Sequence, residues 1–316
     1  MIPLASITTQ EGLVRLGRHL REHGYTFVTS SPATHRRVDA RFAALEKPRP
    51  RTLRDVFGFS RYFAEGDLPD DVMDAAQQAD VITIDGNGYR STVRFSTLGD
   101  DIFAHSAYPT VREDAVFFGP DTYRFCDLIT AELAGTERAS YAVDIGCGSG
   151  AGGLIASRYV HEVVLADINP VAIRFANVNI LVAKRPNKIT SVVSDLLKGI
   201  ERQPDLVLAN PPFMADPAGR AYRNGGGAYG EELGVSIARE AALRLESGGR
   251  LILYTGSAIV DGEDTFLRAA KSALGDEMTF RYRELDPDVF GEEIEANDAY
   301  ASVERIAAVA LVGRKR

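Results

Sequence analysis

Residues 144–153 read DIGCGSGAGG, a carboxylate followed by a run of glycines. The stretch ends an apolar run that begins at Ser140 and leads into a segment of helical character at 151–158. Gly146, Gly148 and Gly150 allow a tight turn and let the backbone approach a ligand closely. A glycine-rich turn alone says little, because nicotinamide- and flavin-binding chains use related ones. The spacing says more. Seating a pyrophosphate on a helix N-terminus calls for G-x-G-x-x-G, whereas this loop has G-x-G-x-G with Asp144 just before it. A carboxylate there repels a pyrophosphate and attracts an ammonium group. Cys147 reads as a small packed residue, since no His or Lys stands near it in sequence to activate the thiol.

Working outward, SYAVDIG, HEVVLAD, ITSVVSD, PDLVLAN and GRLILYTG are five short, nearly continuous apolar runs after residue 138. Helical segments separate them at 151–158, 170–183 and 231–246. Strands that are apolar on both faces and alternate with helices predict an α/β fold, a doubly wound parallel sheet covered on both sides. EMTFRYREL (277–285) and RIAAVALVG (305–313) add a terminal antiparallel hairpin, making seven strands.

The first third differs. Helical spacing marks 9–24 and 36–46, LRDVFGFSRYF reads as a short buried helix, and Asp70 and Asp71 open another. VITIDGNGYRSTVRFSTL (81–98) alternates around Asp-Gly and Asn-Gly, a hairpin signal. Residues 1–105 therefore read as a smaller α+β accessory domain, winged-helix-like in order, and 106–316 as the main domain.

The chain has 316 residues, 45% hydrophobic and 25% charged, an ordinary globular balance. Its two cysteines, Cys126 and Cys147, fit a reducing cytoplasm. The N-terminus lacks the pattern of a signal peptide, and no apolar run reaches the roughly 20 residues that span a bilayer. A net charge of −8 disfavours a nucleic-acid partner, although short basic patches stand at 35–37, 47–51 and in the tail GRKR, which reads as a solvated terminus. No convincing metal set emerges from five His and two Cys; His19 and His23, four apart on a helix, read as a surface pair.

Two further strands end in carboxylates, Asp167 and Asp195. In an open α/β sheet, ligands lie beyond the carboxyl ends of the strands. Three strands thus bring Asp144, Asp167 and Asp195 to one crevice. Asp167 suits a ribose diol, Asp195 an adenine amino group, and Asp144 an amino-acid ammonium, directly or through water. S-adenosylmethionine has all three groups and no phosphate. A fourth strand ends at VLANPPFM (207–214), a rigid corner of Asn210, Pro211 and Pro212 followed by Phe213.

Taken in order, VDIGCGSGAGG, ADINPVAIRFANVN and LANPPF resemble the class I S-adenosylmethionine-dependent methyltransferases that act on amino groups. FFGPDTYRFCDLI (117–129) resembles the segment before the glycine loop in the glutamine N5-methyltransferases. The resemblance covers about 115–255 and implies a Rossmann-like fold. It places Asp144, Gly146, Cys147, Gly148 and Gly150 around the methionine part, with Thr122 closing that side. It also puts Asp167 on the ribose, Ile168, Asp195 and Leu196 at the adenine, and Asn210, Pro211, Pro212 and Phe213 at the acceptor. Two positions depart from the glutamine enzymes: Tyr123 stands where they carry an acidic residue, and Phe213 where they carry Tyr.

Amide and aryl-amine nitrogens have delocalised lone pairs but good N–H donors. The Asn210 side-chain oxygen and the Pro211 carbonyl can accept two such hydrogens and aim the lone pair, while Phe213 stacks on the plane. The expected reaction is methyl transfer to an amide or amine nitrogen of a protein or small molecule, yielding S-adenosylhomocysteine. The alternatives are amino-group methylation of RNA or DNA (adenine N6, guanine N2) and a non-catalytic partner subunit of the same fold. Substrate contacts are expected from Tyr222, Arg223 and Tyr229 in the Gly-rich stretch 216–234, a surface loop or a lid, and from Tyr123. Phe118, with Phe117, either lines the site or belongs to the core. The acidic stretch 284–295 is a solvated turn or a receiver for a cationic substrate.

Overall fold

The structure is a computed structural model that describes residues 7–46, 49–50, 52–185, 188–216, 219–220 and 222–316. Parts of the basic patch at 47–51 and of the Gly-rich stretch lie outside the described residues. The elements run α1 (Ile7–Glu22), α2 (Pro32–Ala43), α3 (Leu53–Phe57), α4 (Asp70–Gln78), β1 (Ile82–Asp85), β2 (Gly88–Ser91), β3 (Val93–Leu98) and β4 (Asp101–Ser106). There follow α5 (Pro120–Leu133), β5 (Ala139–Ile145), α6 (Ala151–Ala156), β6 (Val160–Asp167), α7 (Pro170–Ala183), β7 (Lys188–Val193), β8 (Leu206–Ala209) and α8 (Glu232–Arg244). The chain closes with β9 (Arg250–Val260), β10 (Glu263–Asp264), α9 (Thr265–Leu274), β11 (Met278–Asp286), α10 (Gly291–Ala296) and β12 (Arg305–Lys315).

One sheet organises residues 139–315, in the order β11-β12-β9-β8-β5-β6-β7, with the two-residue β10 beside β9. The pairs β8–β9, β5–β8, β5–β6 and β6–β7 are parallel; β9–β12 and β11–β12 are antiparallel. This is the predicted doubly wound sheet with its terminal hairpin. Alternate residues of each strand feed opposite cores, which is why the runs are apolar throughout. Ala142, Leu165, Leu208 and Ile252 meet α5 and α6 on one face. Val143, Val164, Val207 and Leu253 meet α8 and α9 on the other. The tail GRKR is not a loose terminus, because β12 runs through Lys315 and pairs Arg314 with Arg250.

The N-terminal elements bury Leu16, Leu20, Phe57, Val72 and Phe95 in a core shared with Phe175, Val178 and Val182 of α7. Two readings shift here. α2 begins at Pro32 rather than 36, because Ser31 caps it by accepting the Thr34 N–H at 3.3 Å. The hairpin at 81–98 is also two hairpins. β1 and β2 pair around Gly86, whose φ is +60°, while β3 pairs onward with β4 around Gly99. His19 and His23 do lie together, and both reach Asp71 at 3.1 Å.

Candidate active site

β8, β5, β6 and β7 are neighbours, so their carboxyl ends form one rim. Asn210, the glycine loop, Asp167 and Asp195 stand on that rim around a cavity of about 450 Å3. The chain turns in opposite directions from β5 toward β6 and toward β8, which opens the crevice between them.

The loop geometry depends on left-handed backbone at Gly146, Gly148 and Gly150, with φ of +65°, +54° and +81°. Gly146, Cys147 and Gly148 line the cavity. Gly150 does not: a Cβ there would lie 2.8 Å from Leu165 Cδ1, so this glycine serves the packing of α6 on the sheet. The Cys147 thiol is buried and its pKa is raised, first by that burial, as the packed reading expects.

Asp144 is 1% exposed, and its Oδ2 accepts the Gly153 N–H at 2.7 Å. Burial pushes its carboxyl up to about 7; the Gly153 bond opposes this and the charge of Asp167 adds to it. Among the described residues no Lys or Arg forms an ion pair with it. Asp167 accepts the Gly148 N–H at 2.9 Å and the Asn169 N–H at 2.8 Å, while burial raises its carboxyl too. The exposed Ile168 side chain lies beside it on the cavity wall, an apolar surface open to a flat ring. Asp195 and Leu196 also line the cavity. Asp195 is exposed and pairs with Lys198 at 2.5 Å. Leu196 adopts a positive φ of +51°, and its carbonyl accepts the Ser194 hydroxyl at 2.9 Å.

Thr122 lines the cavity from the first turn of α5 and caps that turn by accepting the Gly119 N–H at 3.2 Å. Beside it lies a residue that the sequence reading passed over. Asp121 is 4% exposed, lines the cavity and accepts the Tyr254 hydroxyl at 2.5 Å, with Arg124 at 3.5 Å. Burial raises its carboxyl. Its sequence signal was the PDT segment itself, but its partner Tyr254 lies 133 residues away.

The corner after β8 is clasped from behind. Phe213 is 6% exposed and tilts against Phe290 at 5.8 Å. A Cβ on Gly256 would stand 2.1 Å from the Phe213 ring, and one on Gly225 would stand 2.7 Å from the Pro212 carbonyl. The Met214 N–H donates to the Arg223 carbonyl at 3.1 Å, and the Gly225 N–H to the Met214 carbonyl at 2.9 Å. The Gly-rich stretch therefore folds back onto the corner, with glycines where the backbones touch. Pro211 and Pro212 line the cavity with Asn210, whose side-chain amide receives no hydrogen bond from any described residue. Replacing Gly256 by alanine is expected to cost about 1–3 kcal/mol of stability through overpacking against Phe213. A thermal melt would show this as a fall of several degrees.

Of the expected substrate contacts, Tyr222 and Arg223 reach the cavity. The Tyr222 hydroxyl donates to the Thr110 carbonyl at 2.8 Å, and Arg223 Nε lies 3.7 Å from Asp216. Three others do not line the cavity. Phe118 is 1% exposed and stacks on His105 at 5.1 Å, while Phe117 takes the wall position. The Tyr123 hydroxyl turns away to accept the Thr29 N–H at 3.1 Å. The Tyr229 hydroxyl meets Ser302 at 3.2 Å. In the acidic stretch, Asp286 pairs with Arg124 and Glu284 with Arg305; it is Phe290 that lines the cavity.

Residues 124–260 match the family model of the methyltransferase small domain. Release factor glutamine methyltransferase of Cereibacter sphaeroides is 31% identical over 144 residues, which is 42% of this chain and 51% of that protein. Ribosomal protein L11 methyltransferase of Lacticaseibacillus paracasei is 34% identical over 92 residues, 29% of this chain and 28% of that protein. The chain thus spans about half the length, or less, of these curated relatives. Trm5b of Pyrococcus abyssi shares the fold, with a TM-score of 0.50 over 78% of this chain and 71% of that one at 14% identity. Over residues 124–260 the chain is thus similar to the methyltransferase small domain, and that span contains the glycine loop, Asp167, Asp195 and the Asn210 corner.

Proposed function

We propose that the chain transfers a methyl group from S-adenosylmethionine to an amide or amine nitrogen of a protein or small-molecule acceptor. One observation carries the reading. A single cavity joins the acidic strand ends of β5 and β6 to the corner at Asn210, whose amide has no partner among the described residues. The donor set suits a cationic, phosphate-free ligand: Asp144 is a buried carboxyl without an ion-pair partner among the described residues, and Asp167 stands beside the open face of Ile168.

When bound, S-adenosylmethionine supplies an electrophilic methyl carbon on a sulfonium. The residues of the chain hold and aim the acceptor. Asn210 Oδ1 and the Pro211 carbonyl accept the hydrogens of the acceptor nitrogen and keep its lone pair on the methyl side of the cavity. The two prolines fix the Pro211 carbonyl before the acceptor arrives, and the end of β8 sets the Asn210 backbone beside it, so little backbone reorganisation is needed. The mostly apolar walls, Phe117, Phe213 and Phe290 among them, keep water from the reacting nitrogen. Residues 1–105 act in this reading as an accessory substrate-recognition unit, supported by Pro32 in the cavity wall. Among the described residues no helix is long and apolar enough to cross a membrane.

Incubation with methyl-labelled cofactor and size-fractionated cell extract tests the acceptor class. Label in protein or in small amines is the expected result. Label in RNA or DNA would transfer the reading to nucleobase amino groups. No label anywhere, with cofactor binding intact, would point to a non-catalytic partner.

A further inference from the structure

One buried and one half-buried polar side chain tie the N-terminal region to two walls of the cavity. Asn179, on α7, is 1% exposed. Its Oδ1 accepts the Ala104 N–H at 2.8 Å, and its Nδ2 donates to the Ala104 carbonyl at 3.0 Å and to the Ser149 carbonyl at 2.8 Å. Ala104 lies on β4, which pairs only with β3 among the described strands, so the Asn179 amide takes the place of a further strand at that edge. Ser149 lies between Gly148 and Gly150. The peptide that joins Ser149 to Gly150 is held at both ends, its carbonyl by Asn179 and its N–H by the Cys147 carbonyl at 2.8 Å. One donor–acceptor side chain of this length satisfies an N–H and two carbonyls together; a carboxylate would face two carbonyls with no hydrogen to give.

The second tie is Tyr123, one residue past Thr122. Its hydroxyl accepts the Thr29 N–H at 3.1 Å, and its ring meets Phe118 edge-on at 5.4 Å. Phe118 stacks on His105, the neighbour of Ala104, and His105 Nε2 lies 2.8 Å from Ser96 Oγ on β3. The glycine loop and the start of α5 are thus each bonded to the first 105 residues.

We propose that the N-terminal region is a second scaffold for the donor half of the cavity, with Asn179 and Tyr123 as the positioning residues through which it sets donor affinity. The proposal rests on the cofactor reading above. It also gives the tyrosine at 123 a role facing the N-terminal region.

Calorimetric titration of the full chain with S-adenosylhomocysteine, alongside amide hydrogen exchange, tests it. Asn179→Leu leaves three buried backbone groups without partners, and affinity is expected to fall about tenfold or more, with faster exchange at Gly148 and Gly150. Tyr123→Phe is expected to weaken binding about threefold or more. Val72→Ala, which thins the N-terminal core away from both ties, is expected to lower the melting temperature while leaving affinity within about twofold. Should Asn179→Leu fail to fold, Asn179→Ser and Tyr123→Phe carry the test. Folded variants that bind as the unmodified chain does would overturn the proposal. So would Val72→Ala losing affinity in proportion to its melting temperature, which would make the effect one of general stability. No binding by the unmodified chain would overturn the cofactor reading, and this proposal with it.

Discussion

Replacing Asn210 by alanine is expected to reduce methyl transfer by about a thousandfold or more, while affinity for S-adenosylhomocysteine changes by less than about threefold. The reason lies in where Asn210 stands. It follows β8, on the opposite side of β5 from Asp167 and Asp195, so its loss removes no carboxylate from the donor half. Its amide receives no hydrogen bond from a described residue, so its removal leaves no broken network behind. What disappears is one of the two groups that this reading assigns to accept the hydrogens of the reacting nitrogen. Preorganised groups of that kind are typically worth a factor of about 100 to 1000 each, and loss of orientation adds to this. Turnover measured on the labelled acceptor, beside a binding titration, separates the two effects. Full turnover by Asn210→Ala would end the assignment of the corner.

Asp144→Asn should act in the opposite sense, on binding and on stability at once. Burial holds the Asp144 carboxyl near a pKa of about 7, against an ordinary value of 3.8. A carboxyl raised on folding is stabilised by its proton in the folded state. Its contribution is therefore most favourable below about pH 4, declines as the pH rises from about 4 to about 7, and is lost above that. The neutral Asn179 type of side chain carries no such penalty at this site, so Asp144→Asn is expected to raise the melting temperature at pH 8. The ammonium group of the ligand needs the ionised form. At pH 6 about a tenth of the carboxyl is ionised if its pKa is about 7, so S-adenosylhomocysteine should bind about tenfold more weakly at pH 6 than at pH 8. Asp144→Asn should flatten that profile and weaken binding about thirtyfold or more at pH 8, as expected for a lost charge-assisted contact. A melt and a titration at two pH values check all three expectations. A variant that binds as tightly as the unmodified chain would remove Asp144 from the donor site.

The sheet was legible because burial on both faces leaves no ambiguity of period. Runs such as 140–146 and 161–167 contain apolar residues on both sides of the strand. The rim of acidic residues was legible for a related reason: in a parallel sheet, strand ends converge whatever the intervening helices do. Side-chain direction at helix starts was not legible. Phe117 and Phe118 are adjacent and apolar, and only the docking of α5 sends one to the cavity and the other to His105. Tyr123 turns away from the cavity for the same reason. Long-range partnerships were equally hidden. Asp121 meets Tyr254, Gly256 makes room for Phe213, and Asn179 bonds Ala104, each pairing distant in sequence and fixed only by packing. The hairpin of β3 and β4 escaped because one alternating stretch, 81–98, contains strands of two different hairpins.

The central claim is that this cavity holds S-adenosylmethionine rather than a dinucleotide. Calorimetric titration of the full chain with S-adenosylhomocysteine and, separately, with NAD tests it most directly. The expected result is saturable one-to-one binding of S-adenosylhomocysteine and no heat with NAD. Binding of NAD without binding of S-adenosylhomocysteine would contradict it.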